Sequence, residues 1–80
     1  MLKKIKVYGR LRKFIGQAVL EADVNSPLEA LSFLHCNFKG LEKHMADQYY
    51  QINAGDTKIT EDLLGLRTNC DIQIIPLAHG

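Results

Sequence analysis

The sequence predicts an α+β fold, a mixed sheet of four to five strands with one main helix packed on one of its faces. Three observations predict it. Segments at both ends and in the middle are strand-like, and the first two alternate apolar and polar residues with period two, the mark of half-buried strands. One segment, Asn25-Ser26-Pro27-Leu28-Glu29, carries a complete helix-start signal followed by an apolar stripe at helical spacing. The chain has 80 residues, 46% apolar and 24% charged, which are globular proportions for one domain spanning 1–80.

Residues 2–8 are the first expected strand, with Ile5 and Val7 toward the core and Lys4, Lys6 and Tyr8 on the other face. Gly9 reads as a bulge or strand exit, Leu11 and Phe14 as folding over a core edge, and Gly16 as the turn into the next strand. Over 17–24, Ala18, Leu20, Ala22 and Val24 form one face, with Val19 outside. The short connection makes the two strands an antiparallel hairpin. At the helix start Ser26 accepts from the amide of Glu29, Glu29 reaches back to the Ser26 amide, and Pro27 occupies the first helical position, where its missing N–H costs nothing. The helix is expected from Pro27 to Asn37. Leu28, Leu31, Leu34 and His35 share its stripe, Ala30 lies beside it and Phe33 off it.

Residues 38–47 read as a loop with one helical turn at Leu41-Glu42-Lys43-His44-Met45. A third strand is expected over 49–54, a turn at Ala54-Gly55-Asp56, a short extended piece over 57–59 and one helical turn over 60–64 capped by Thr60. The last strand, 71–77, is apolar on both faces, which predicts a central position beside the first strand. Pro76 is expected to stop ladder pairing. The order β-β-α-β-(β)-turn-β with the last strand central makes a β-grasp, or ubiquitin-like, roll.

No apolar run approaches the ~18–20 residues of a membrane span, and the Lys-rich start meets no continuous apolar stretch, so no signal peptide is expected. The net charge is +1, yet Lys3, Lys4, Lys6, Arg10, Arg12 and Lys13 open the chain with no acid among them, leaving the rest net acidic. Such a patch either meets phosphates or an acidic protein, or is a solvated edge that lysines protect from aggregation. Nucleic-acid binding is disfavoured, because aromatic and basic residues do not interleave on a known motif. Cys36 and Cys70 read as reduced, small apolar residues, a single disulfide between them being the alternative. His35, His44 and His79 match no zinc spacing, so no metal or cofactor is expected.

Catalysis within the chain is not expected either. A core this small supplies only about 3–5 kcal/mol, a poor base for a strained active site. The six glycines are dispersed and form no phosphate loop. His35 and Cys36 are helix neighbours about 100° apart and form no dyad. Glu61-Asp62 fit a helix N-terminus better than acid–base work. An adaptor, carrier or assembly module is the expectation, with surfaces as its sites. These are the outer face of the first strand (Lys4, Lys6, Tyr8), the Tyr49-Tyr50 pair, of which one ring is exposed and the other buried, and the tail Ala78-His79-Gly80.

Val7-Tyr8-Gly9-Arg10-Leu11, Phe14, Gly16, Ala30-Leu31, Phe38, Tyr50-Gln51-Ile52, Ala54-Gly55 and Asp71-Ile72-Gln73-Ile74-Ile75-Pro76 together resemble the N-terminal ubiquitin-like domain of the bacteriophage lambda tail assembly protein I family. The resemblance spans nearly the whole chain in order. It implies a non-catalytic virion assembly protein of the tail tip, acting in the host cytoplasm or in the virion tail through contacts with other tail-tip and hub proteins. It also implies a tail-associated metallopeptidase as a partner. Members of that family continue through a glycine stretch into an apolar region, so an end at Gly80 is early and Ala78-His79-Gly80 is an expected processing point. The chain is also similar to the small sulfur carriers of molybdopterin and thiamine synthesis, at Val7–Gly16 and in ending after an apolar strand and a proline. That similarity implies activation at the carboxylate of Gly80, as a thiocarboxylate. Those carriers end in Gly-Gly, and His79 departs from that pattern with an imidazole expected to block a narrow channel.

Overall fold

Residues 2–46 and 48–77 are described by the computed structural model. Five strands, β1 (Lys3–Val7), β2 (Val19–Ala22), β3 (Tyr50–Ala54), β4 (Thr57–Ile59) and β5 (Ile72–Pro76), form one mixed sheet in the order β2-β1-β5-β3-β4. β1 pairs antiparallel with β2 and parallel with β5, which in turn pairs antiparallel with β3. The last strand is therefore central, as its apolar content predicts. The chain has the β-grasp, or ubiquitin-like, fold.

Three helices accompany the sheet: α1 (Gly9–Ile15), α2 (Pro27–Asn37) and α3 (Leu41–Met45). α2 has the predicted bounds, and its first turn leaves no orphan donor. The Leu28 N–H donates to the Leu64 carbonyl at 2.9 Å, the Glu29 N–H to Ser26 Oγ at 3.2 Å and the Ala30 N–H to the Ser26 carbonyl at 3.1 Å. The Glu29 carboxylate accepts from the Asn25 N–H at 3.4 Å, one residue earlier than the capping box requires. The buried stripe is Pro27, Ala30 and Leu34 with Leu31 and Phe33 against the core, while Leu28 points to solvent. The expected stripe is thus rotated: Phe33 packs and Leu28 does not.

α1 corrects the sequence reading, which has only a bulge and a core edge here. Leu11 and Ile15, spaced i, i+4, are both buried, and Gly16 closes the helix in the left-handed region (φ +85°) with its N–H on the Arg12 carbonyl at 2.8 Å. Arg12 and Lys13 complement the dipole in the last turn. Seven residues cannot hold a helix in water, so packing, rather than propensity, makes it. Phe14 does not fold into the core edge. It is 42% exposed and stacks on the His44 ring of α3, centroids 4.5 Å apart.

The strand calculus of period two puts Ile5, Val7, Leu20, Ala22, Ala54, Ile72 and Ile74 on the helix-covered face, all buried, while Ala18 is exposed beyond the end of β2. Lys3 also falls on the covered side. It is buried with its Nζ donating to the Val24 carbonyl, so it leaves the exposed cationic patch. Pro76 does not stop pairing. Along β5 the odd residues bond β3, as the Gly55 N–H on the Asp71 carbonyl and the Leu77 N–H on the Tyr49 carbonyl show. Pro76 faces the β1 side, where pairing ends at Val7 and Ile74, so its absent N–H leaves nothing unmet. Thr60 does not cap the 3-10 turn Glu61–Leu63 by its side chain, which bonds Asp62 instead.

Candidate functional site

The face of the sheet opposite the helices carries the even positions of β1 and the odd positions of β3 and β5. Register places Lys6 between Val19 and Gln73, Gln73 beside Asn53, and Gln51 beside Ile75. The amides form a short ladder: Gln51 Nε2 donates to Asn53 Oδ1 at 3.2 Å and Asn53 Nδ2 to Gln73 Oε1 at 3.4 Å. Lys4 is exposed and Lys6 half-buried on this face, as the alternation predicts. Gln51, Asn53, Gln73 and Ile75 belong to it too. The signal for them was the spacing of Gln51 and Asn53, which gains meaning only once β3 and β5 are known to be neighbours.

Apolar groups collect where the chain leaves the sheet. Tyr8, extended between β1 and α1, falls beside Ile75 if the β1–β5 register continues by one residue, and is 40% exposed. Tyr49 is 66% exposed and its carbonyl accepts from the Leu77 N–H at 2.8 Å; Leu77 is itself 39% exposed. Tyr50 falls on the covered side and is half-buried, so the two tyrosines divide between the faces as expected. The structure therefore brings Lys4, Lys6, Tyr8 and Tyr49 to one face, and separates Tyr50 from them. Ala78, His79 and Gly80 lie outside the described residues.

Arg10 is the functional candidate that sequence reasoning missed. The Nη2 of its guanidinium donates to the Leu77 carbonyl at 3.2 Å. No local signal announces a contact across 67 positions of sequence.

The rest of the surface offers little chemistry. A cleft of about 210 Å³ opens between β4 and the 61–70 segment, lined by Pro27, Ala54, Ile59, Leu63, Leu66 and Cys70 among others. A second, of about 260 Å³, lies between Tyr50, Ile52 and Ile59 and the residues Thr60, Glu61 and Leu64. Neither gathers a nucleophile with a base. Among the described residues no three His, Cys, Asp or Glu side chains stand together as metal ligands. Cys36 and Cys70 are free, and both are exposed rather than packed. Beside the second cleft, the Thr60 hydroxyl donates to Asp62 Oδ1 at 2.6 Å and holds that carboxyl below its ordinary value of 3.8, aided by the Asp62 backbone N–H. No described helix is long and apolar enough to cross a membrane.

No family model and no curated protein matches the sequence. Two solved structures do match the fold. The crystal structure of SAMP1 from Haloferax volcanii superposes with a TM-score of 0.73 at 16% identity, covering 100% of this chain and 97% of that one. A crystal structure of H. volcanii small archaeal modifier protein 1 superposes with a TM-score of 0.71 at 17% identity, covering 94% and 93%. At such identities the likeness is one of fold.

Proposed function

We propose that the chain is a ubiquitin-like carrier or modifier protein, a substrate of other enzymes rather than an enzyme, with its chemistry at a carboxyl-terminal glycine. The observation that carries this reading is the likeness in fold, over more than nine-tenths of both chains, to a protein named as a small archaeal modifier. The placement of β5 supports it: the central strand leads out of the sheet at Leu77, beside an open face with Lys4, Lys6, Tyr8 and Tyr49 available to a partner.

On this reading Gly80 carries the reacting carboxylate. A partner enzyme joins it to the α-phosphorus of ATP, forming an acyl-adenylate as pyrophosphate leaves. A hydrosulfide ion then attacks the acyl carbon and AMP leaves, giving a thiocarboxylic acid that ionises to the thiocarboxylate. The chain's own contribution is to dock through its open face and to present the acyl end. His79 beside Gly80 requires an activating channel wide enough for an imidazole.

Incubation with an adenylating enzyme of the sulfur-carrier class, ATP and a sulfur donor tests it by intact mass. A product about 16 Da heavier, one oxygen exchanged for sulfur, is expected, and His79→Gly should raise its yield.

The resemblance of Val7–Leu11, Tyr50–Ile52 and Asp71–Pro76 to the tail assembly family favours a second reading, tail-tip assembly by protein contacts alone. A mass that never changes, for the wild type and His79→Gly alike, together with incorporation of the chain into phage tails, would overturn the carrier reading in its favour.

A further inference from the structure

The helix-covered face is open at its β4 edge, where the cleft of about 210 Å³ stands between the sheet and the 61–70 segment. Its floor is apolar. Ala54 and Ile59 come from the sheet, Pro27 from the start of α2, and Leu63 and Leu66 from the segment opposite. Leu66 forms a lip that is 58% exposed. Backbone hydrogen bonds fix the walls. The Leu64 carbonyl accepts from the Leu28 N–H at 2.9 Å and the Thr68 N–H donates to the Asn25 carbonyl at 2.9 Å, so the stretch carrying Leu66 and Arg67 is tied at both ends to the start of α2. At the far end of the segment the Gly55 N–H donates to the Asp71 carbonyl at 3.0 Å. Gly55, at φ +62°, also gives Cys70 its room, since a Cβ there would stand 3.1 Å from Cys70 Sγ. The cleft is therefore a property of the folded backbone, as ligand sites largely are.

Polar groups gather on its rim. Thr57 and Thr68 bring hydroxyls, and Arg67 is the single ionic side chain among the described residues that line the cleft. Thr68 Oγ1 accepts from the Cys70 N–H at 3.1 Å and keeps its own proton to donate. Ile59 also lines the neighbouring cleft, whose ionic side chain is Glu61, so the two clefts differ in the sign of their charge.

We infer that the cleft beside Arg67 is a binding site for a small organic acid, an aliphatic chain ended by one carboxylate. The volume sets the size. At roughly 30 Å³ per water-sized group it holds about seven non-hydrogen atoms, short of the ~300–1,000 Å³ that takes a drug-sized ligand. The floor selects the chain, because burying it removes apolar area from water. The rim selects the head, because a guanidinium grips a planar carboxylate through two charge-assisted hydrogen bonds, while an ammonium head would meet a like charge. The site shares no residue with the carrier reading and goes beyond it.

The experiment uses the full chain with hexanoate as probe and hexan-1-ol and hexylamine as its matched controls. Iodoacetamide alkylates the two exposed thiols, Cys70 on the cleft and Cys36 on α2 outside it, and peptide mass spectrometry reads each rate. Saturating hexanoate is expected to slow Cys70 about 3- to 10-fold with Cys36 unchanged, and to move the methyl NMR signals of Ala54, Ile59 and Leu63. Half-protection should need about 10-fold more hexan-1-ol than hexanoate, and hexylamine should not protect. Arg67→Gln should erase the preference for the acid while protection by hexan-1-ol stays as in the wild type, and Arg67→Lys should recover part of the preference. Equal protection by hexanoate and hexan-1-ol in the wild type overturns the inference, since the cleft would then be an unselective apolar surface. Equal slowing of both thiols, or methyl signals that stay in place, overturns it too. Tighter binding of acetyl-Gly-Leu than of hexanoate overturns the free acid as occupant in favour of the chain terminus of another protein.

Discussion

The two faces of the sheet are built from the same strands and alternate residue by residue, yet they are made for different work. On the helix-covered face Ile5, Val7, Ile72 and Ile74 are at most 1% exposed and touch one another across the β1–β5 pairing. On the open face their immediate neighbours are Lys4, Lys6, Gln73 and Ile75, whose polar members bond laterally or meet water. Stability lives on the first face because apolar area is removed from water there. The second is free to vary its chemistry, because a change costs the fold little. Leu77, next after β5, falls on the open face by register, yet its carbonyl accepts from Arg10 of α1, an element of the covered side.

The sharpest way to break this comparison is to truncate adjacent residues of β5. Ile74→Ala should lower the unfolding free energy in urea by about 2–5 kcal/mol, since it empties a fully buried site. Gln73→Ala, one position away, should cost about 0.5 kcal/mol or less. Equal losses would make the amide ladder part of the structural core. Gly9→Ala should fall between them, at about 1–2 kcal/mol, because it combines a positive φ with a close approach to Pro76. A neutral Gly9→Ala in the same titration would mean that α1 can shift away from β5 freely.

The smallest effect belongs to the edge of the sheet. Asp62 has its folded pKa lowered, so its hydrogen bond with Thr60 adds stability above the unfolded-state pKa and loses it as pH falls through the folded value. Thr60→Val should move the Asp62 carboxyl back up toward 3.8 in an NMR titration and remove that acid-side dependence. The group is fully exposed, so the global melting curve near neutral pH should not change.

How legible each part was depends on how local its cause is. The start of α2 was readable because Ser26, Pro27 and Glu29 satisfy or dispense with one another's donors within four residues. The central place of β5 was readable because Ile72, Ile74 and Ile75 crowd both faces of one short strand. α1 was not, since two glycines frame it and only the burial of Leu11 and Ile15 against distant strands sustains it. The burial of Lys3 was also hidden, because its partner is the Val24 carbonyl across the hairpin. For the candidate site, Lys4, Lys6 and Tyr8 followed from period two, whereas the amide ladder needed the β3–β5 register. The Arg10–Leu77 hydrogen bond needed contact between residues 67 apart.

The β1–β5 pairing joins the first strand in the sequence to the fifth, and the Lys4 N–H reaches the Asp71 carboxylate across the same gap. During synthesis the middle of the sheet is therefore the last place to be filled. β1, β2 and α2 can emerge and associate, but they hold an open seam until β5 arrives between β1 and β3. Closing that seam requires a long loop to be ordered before its contacts reward it, which slows folding relative to a fold of local contacts. A nascent chain lacking β5 presents two unpaired strand edges, a template for wrong pairing. β5 is thus the strand on which both halves of the sheet wait, and its insertion turns two separate hairpins into one five-stranded sheet.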